Sequence, residues 1–360
     1  MTHIRAVRSA FPGQRHPQPD LTRAFAELTG LSPARRGLLE RLHGNAGVDT
    51  RHVALPIPDY AGLRGIVARN DRYMEVALDT GERALRGALD AAGLAARDLD
   101  LLIVTSVTGV AVPSLDARLI PRLGLRPDVK RLPVFGLGCV AGAAGLGRLH
   151  DYLLGWPGHT AALLAVELCT LNWPVSDMST ADLVVSALFG DGAAALVASG
   201  DGVAFDAFDA FDAGARRPRV IASRSEVYPD SEDALGWRLG ADGFRIVLTA
   251  DLADVVERSL SGSVTAFLAA HGLTTDDIRS WVCHPGGPKV LDAAQKSLKL
   301  PDGALETSRR SLAEAGNMSS VSVLHILEQV IATAPPPPGS AGLMIGLGPG
   351  VSVELVLLRW

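Results

Sequence analysis

ALDAAGLAARDLDLLIVTS, residues 88–106, is rewritten further along the chain as FLAAHGLTTDDIRSWVCHP, residues 267–285. Each stretch reads as a helix stopped by a glycine (Gly93, Gly272), a short turn holding an aspartate (Asp98, Asp277), then a buried strand. The correspondence continues: Cys139 lies 46 positions beyond Gly93, and Asn317 lies 45 beyond Gly272. Each follows a glycine and opens helix-like sequence, LGCVAGAAGLGRL and AGNMSSVSVLHIL. Each half then reaches an apolar strand with a Gly-x-Gly turn, ALFGDGAAALV and MIGLGPGVSVELVLL. Short helix–strand units look alike by chance, but three matches in one order argue for a duplicated α/β unit with a mixed sheet between helices. The halves are set at 1–205 and 206–360, with SGDGVAFDAFDAFDAGARRPRV as a divergent linker strand or surface hairpin. The tetraproline Pro335–Pro338 reads as a stiff surface loop before the last strand.

At 360 residues, 48% hydrophobic and 20% charged, the chain reads as a folded globular protein of two domains or one large one. A net charge of −5 argues against a general nucleic-acid surface. The opening MTHIRAVRSAFPGQRHPQPD lacks the apolar core and small-residue cleavage site of a secretory signal. No run of 18 or more apolar residues reads as a membrane span. Cys139, Cys169 and Cys283 have neither zinc-ligand nor disulfide-framework spacing, which fits a reducing cytoplasm. No histidine–carboxylate cluster offers a metal site.

The run VFGLGCVAGAAGLGRLHDYL, residues 134–153, puts Cys139 at the first turn of a helix, where unpaired N–H groups and the dipole favour a thiolate. A lone cysteine is more often a small buried hydrophobe. The duplication changes that weighing, because Cys139 and Asn317 occupy equivalent helix starts that converge if the halves face each other. His284 ends the strand of SWVCHPGGPKVLDA and points toward the same seam. Cysteine, histidine and asparagine are thereby offered at one place. Glu167 closes the apolar run TAALLAVE, where a carboxylate must be paired or solvated by a cavity. Cys169, Cys283 and Trp281 read as packing.

These residues carry a resemblance. The GC-AG turn at Cys139, ALFGDGAA with Phe189, W-CHPGGPKVLD with His284, GNMSS with Asn317 and the closing GLGPGVSVE make the chain similar to the type III polyketide synthases, the chalcone-synthase-like family. The resemblance implies a thiolase-like, five-layered αβαβα fold built from two duplicated halves, and a homodimer with Val112 near the subunit seam in place of the family's methionine. It implies Cys139 as the acyl-carrying nucleophile, with His284 and Asn317 as its partners. Phe189 is implied as the aromatic gate of the acyl tunnel and Phe244 as a second one. Glu167 and Ser319 match positions that hold a water used in ring closure, whose usual threonine aligns with Val107, although Thr105 and Thr108 lie close by. Cys169 and Asn172 match cavity-shaping positions and replace two threonines. Arg51 is implied at the CoA phosphates, and a backbone N–H of the Gly346–Gly350 loop, with Gly350 at its end, joins the Cys139 N–H as an oxyanion hole.

The chemistry suits these residue types. Decarboxylative Claisen condensation needs a nucleophile that parks an acyl group as a thioester and leaves readily, and a thiolate does both. His284 is expected to hold that thiolate as an ion pair. Loss of CO₂ from malonyl-CoA then develops charge on a thioester oxygen, which the His284 and Asn317 N–H groups stabilise, each such donor being worth roughly 3–4 kcal/mol of barrier. The expected activity is therefore iterative condensation of malonyl-CoA onto an acyl-CoA starter, of aliphatic type, followed by cyclisation to a resorcinol, phenol or pyrone. No cofactor beyond the CoA thioesters is implied. The alternatives are a ketoacyl synthase III-like enzyme making one condensation with a carrier protein, a papain-like Cys-His-Asn hydrolase, and a degenerate non-catalytic partner subunit. HPGGPKVLD, the missing Cys-Gly-Ser-Cys-Trp stretch and the presence of Cys139 weigh against them in turn.

Overall fold

The computed structural model describes residues 1–173, 178–203, 217–240, 243–249 and 251–360; the expected boundary at 205/206 lies outside the described residues. Nine strands form one sheet in the order Ile278–Cys283, Ala341–Gly348, Ser352–Arg359, Arg219–Val227, Thr2–Ala10, Asp191–Gly200, Thr160–Leu168, Leu101–Thr105, Lys130–Val134. Outward from Thr2–Ala10 the pairings run antiparallel, antiparallel, parallel. Outward from Arg219–Val227 they run antiparallel, antiparallel, parallel again. The repeat legible in the sequence is thus a repeat of strand pairing. Among the described residues, the strand pairs Thr2↔Val220 and His3↔Arg219 join the two runs.

Strand alternation builds the layers. Leu101 and Ile103 of one strand and Val282 and Met344 of the other run share an apolar cluster with Leu146 and Leu149 of helix Ala141–Gly155 and Val323 and Leu327 of helix Val321–Thr333. Leu102, Val104 and Leu164 point the other way, onto Tyr73, Ala77 and Leu85 of helix Gly65–Ala92. Leu343, Ile345 and Leu355 do the same in the second run, onto Val256, Leu260 and Val264 of helix Leu252–Ala269. The result is helix, strand layer, paired central helices, strand layer, helix, the five layers expected, with the two strand layers being the two runs of the one sheet. Strands buried on both faces read as continuous apolar runs, as TAALLAVEL does.

The central helices meet at their starts. A Cβ on Gly142 would lie 2.2 Å from the Ser320 carbonyl oxygen, so only a glycine lets the two starts approach so closely. Two details differ from the sequence reading. The helix before Gly272 ends at Ala269. The tetraproline precedes the next-to-last strand, Ala341–Gly348, and not the last.

Candidate active site

Cys139 sits in a single tight turn, Gly138–Val140, between strand Lys130–Val134 and helix Ala141–Gly155. Gly138 is left-handed at φ 55°, and a Cβ there would lie 2.5 Å from Pro349. His284 follows strand Ile278–Cys283, and its N–H donates to the Ile345 carbonyl at 2.8 Å. Asn317 precedes helix Val321–Thr333; its N–H donates to the Leu188 carbonyl at 2.8 Å and its carbonyl accepts from Gly190 N–H at 3.0 Å. Its side-chain amide has a fixed sense. Oδ1 accepts from Ser319 N–H at 2.8 Å, which leaves Nδ2 as the donor end, 3.4 Å from the Gly286 carbonyl.

All three side chains are buried and line one apolar cavity of ≈ 40 Å³, walled by Phe189, Leu235, Ile246 and Leu347 among others. That is space for a few waters, not for an extended chain. Burial pushes the Cys139 thiol up to about 12, the hydrogen bond to Ser319 opposing it, and takes the His284 imidazole down to about 3. Burial thus works against each separate charge of the thiolate–imidazolium pair expected from sequence. His284 Nδ1 has no hydrogen-bond partner among the described residues.

Glu167 is wholly buried. Oε2 accepts from Val107 N–H at 3.1 Å and Thr108 Oγ1 at 2.9 Å, and Oε1 from Ser320 Oγ at 2.6 Å and, more loosely, Ser319 Oγ at 3.4 Å. Burial nonetheless raises it to about 7. Val107 cannot supply a hydroxyl, and its neighbour Thr108 does so instead. Cys169 and Asn172 belong to the turn Cys169–Asn172. The Cys169 thiol is buried, and Asn172 Nδ2 donates to the Thr108 carbonyl at 3.1 Å.

A second cavity of ≈ 510 Å³ is lined by Val107, Phe135, Leu235, Trp237, Phe244 and Gly350, among others. Phe189 and Phe244 thus face different spaces, Phe189 the inner and Phe244 the outer. Within the Gly346–Gly350 loop, the Gly350 N–H donates to the Leu235 carbonyl at 2.9 Å, so this amide is already taken. Arg51 is a correction. It is fully buried, donates to the Phe189 carbonyl and Gln18, and is not placed to meet a phosphate.

The sequence reading missed the hairpin Leu235–Gly240/Gly243–Leu248. Leu235, Trp237 and Leu239 line the outer cavity, and Ile246 and Leu248, paired with Trp237 and Leu235, line the inner one. Trp237 meets Phe189 edge to face, ring centroids 6.4 Å apart. The period-two alternation of LGWRLG and GFRIVL carried that signal. Among the described residues, no group of three His, Cys, Asp or Glu side chains could hold a metal ion, and no helix is long and apolar enough to cross a membrane.

Comparison with known proteins supplies the remaining observation. The family model for the N-terminal domain of chalcone and stilbene synthases matches residues 2–202, and that for their C-terminal domain matches residues 219–360. The chain is 57% identical over 359 residues to a 1,3,6,8-tetrahydroxynaphthalene synthase of Streptomyces peucetius subsp. caesius, covering 100% of this chain and 93% of that one. It is 32% identical to a 3,5-dihydroxyphenylacetyl-CoA synthase of Amycolatopsis orientalis, over 88% of this chain and 84% of the other. The crystal structure of the 1,3,6,8-tetrahydroxynaphthalene synthase from Streptomyces coelicolor A3(2) superposes with a TM-score of 0.91 at 30% identity, covering 99% of both chains.

Proposed function

The chain belongs to the chalcone and stilbene synthase family and is a type III polyketide synthase, and from that premise we propose that it builds 1,3,6,8-tetrahydroxynaphthalene from malonyl-CoA alone. The observation that carries this reading is the 57% identity, along the whole chain, to a synthase of that product. A short malonyl-derived starter also asks for less room beside Cys139 than the aliphatic starter expected from sequence, and the growing chain would extend into the ≈ 510 Å³ outer cavity. The product's own skeleton agrees: ten carbons with oxygen on alternate positions are five two-carbon units. Five malonyl-CoA give one naphthol, five CO₂, five CoA and one water, with no oxidant or reductant.

The proposed roles follow from the cavity. Cys139 Sγ attacks the acyl thioester carbonyl while its proton passes to His284, and CoA leaves with a proton. Each charge alone is disfavoured by burial, but thiolate and imidazolium arise together, and their attraction and the helix N-terminus offset that cost. Once Cys139 is acylated no charge remains on sulfur. Malonyl-CoA then loses CO₂, and the enolate oxygen takes hydrogen bonds from Asn317 Nδ2 and His284. The enolate carbon attacks the Cys139 thioester, which frees the thiolate for the next round. Glu167, with Ser319, Ser320 and Thr108, supplies the proton-holding group beside the growing chain for ring closure.

Exposed apolar side chains support a homodimer. Val112 is 99% exposed, and Val110, Leu132, Phe135 and Leu137 are also exposed, around a groove of ≈ 920 Å³ and the edge strand Lys130–Val134.

The test is malonyl-CoA alone with the purified protein. The expected result is tetrahydroxynaphthalene with five CO₂ for each molecule, abolished by Cys139→Ala. Turnover only when a second acyl-CoA is supplied, or a product whose mass includes that acyl chain, would overturn the malonyl-only reading.

A further inference from the structure

Arg51 spends its side chain on the wall of the inner cavity. Nη1 donates to the Phe189 carbonyl at 2.5 Å and Nε to Gln18 Oε1 at 3.0 Å, and Gln18 Nε2 donates onward to the Ala187 carbonyl at 2.7 Å. The guanidinium lies over the Trp173 ring, 5.7 Å from its centroid. The stem is used as well. A Cβ on Gly316 would fall 2.8 Å from Arg51 Cδ and 2.9 Å from its Cγ, and a Cβ on Gly190 would fall 3.6 Å from its Cβ. Gly316 precedes Asn317, and Gly190 follows Phe189.

Those two segments come from opposite halves of the duplication and run side by side as an isolated parallel bridge, Phe189↔Asn317. Two main-chain hydrogen bonds hold the bridge, from Asn317 N–H to the Leu188 carbonyl and from Gly190 N–H to the Asn317 carbonyl. A buried guanidinium is costly unless compensated. The nearby carboxylate of Asp191, which accepts from Thr170 N–H at 2.9 Å, offsets that cost only in part: burial still takes the guanidinium down to about 10, and Nη2 has no hydrogen-bond partner among the described residues. The arrangement puts a rigid, multidentate fork under a contact of two short segments that would otherwise rest on two hydrogen bonds.

We propose that Arg51 is a positioning residue that locks the Phe189 segment to the Asn317 segment, and so aims the Asn317 carboxamide into the inner cavity. The inference rests on the reading of Asn317 as the enolate donor. It separates the half-reactions, because acylation of Cys139 does not use Asn317 whereas decarboxylation of malonyl-CoA does. Displacing a catalytic group by about 1 Å costs about a hundredfold in rate.

The experiment compares wild type, Arg51→Lys and Asn317→Ala by two readouts: acetyl transfer from acetyl-CoA to Cys139, followed by intact mass, and CO₂ release from malonyl-CoA. Lysine keeps the charge but cannot span both Phe189 and Gln18. The expected outcome for Arg51→Lys is a loss of about a hundredfold in CO₂ release with acetylation within about threefold of wild type. Equal losses in both readouts, or none, would overturn the proposal. If Arg51→Lys does not fold, as judged by circular dichroism, Gln18→Met is read by the same two outcomes. Asn317→Ala separates the premises: unimpaired CO₂ release there removes the enolate-donor reading, whereas impaired release there with unimpaired Arg51→Lys removes only the clamp.

Discussion

Cys139 Sγ donates a hydrogen bond to Ser319 Oγ at 3.4 Å, so the thiol on one central helix start is held by the residue two past Asn317 on the other. Ser319 adopts φ 51°, a left-handed conformation that costs a side-chain-bearing residue about 1 kcal/mol and turns its hydroxyl between Cys139 and Glu167. When the thiol ionises, that hydroxyl can rotate to donate to sulfur, and it is the main influence opposing burial there. Ser319→Ala is therefore expected to raise the pH at which Cys139 reacts with iodoacetamide. Labelling at a fixed pH should slow by about tenfold for every pH unit by which the thiol's midpoint rises. Labelling of Cys139, followed by peptide mass, that is unchanged or faster in the variant would remove Ser319 from this role.

Glu167 makes a stability prediction of definite sign. Burial raises its folded value from 4.5 to about 7, so between those limits the folded protein holds a proton that the unfolded chain has released. Stability must then fall as pH rises through this window, by up to roughly 3 kcal/mol at full ionisation. Glu167→Gln cannot titrate. The difference in unfolding free energy between variant and wild type, from urea melts at several pH values, is expected to move in the variant's favour from pH 4.5 to 7 and to level off above. A flat difference would mean that Glu167 stays ionised throughout.

Cys139, His284 and Asn317 were legible in the sequence because they stand where strands or tight turns give way to helices, beside glycines, and such junctions are written in a few adjacent letters. The duplication then supplied the long-range fact that Cys139 and Asn317 share one environment. Arg51 was illegible for the opposite reason. In the short strand Thr50–Val53 an arginine looks the same exposed or buried, and its partner Phe189 lies 138 positions away. Thr108 was half legible: the hydroxyl was noted nearby, but only the turn after Leu101–Thr105 brings the Val107 N–H and the Thr108 hydroxyl to one carboxylate oxygen. Trp237 was present as a period-two pattern, whose importance depends on which face of the hairpin closes the cavities.

Trp237 stands between the two cavities, touching Phe189 from the outer one. Trp237→Ala is expected to join the ≈ 40 Å³ and ≈ 510 Å³ spaces and to admit longer starters. Offered malonyl-CoA with hexanoyl-CoA, the variant should give products carrying the six-carbon chain, at least about tenfold more than wild type by mass spectrometry, because a few buried methylenes change selectivity by that order. CO₂ release from malonyl-CoA should persist, since no proposed donor is altered. An unchanged product profile would show that Trp237 does not set the limit.

The apolar patch around Val112 is tested by charge. In a twofold interface every substitution occurs twice, so a carboxylate placed there meets either its own copy, near the axis, or a desolvated apolar surface, away from it. Val112 is 99% exposed and Phe135 is 56% exposed, so Val112→Glu with Phe135→Glu disturbs little of the folded chain itself. Wild type is expected to scatter light as two chains, and the double variant as one, with its thermal midpoint then dependent on the loss of the partner and not on core packing. Phe135 also stacks obliquely on Phe244 at 6.1 Å across the outer cavity, so Phe135→Glu alters that wall directly, and Val112→Glu alone, at a residue that does not line this cavity, reads assembly apart from turnover. A wild-type protein that already runs as one chain, or a double variant that stays paired, would assign those exposed side chains to something other than a second copy.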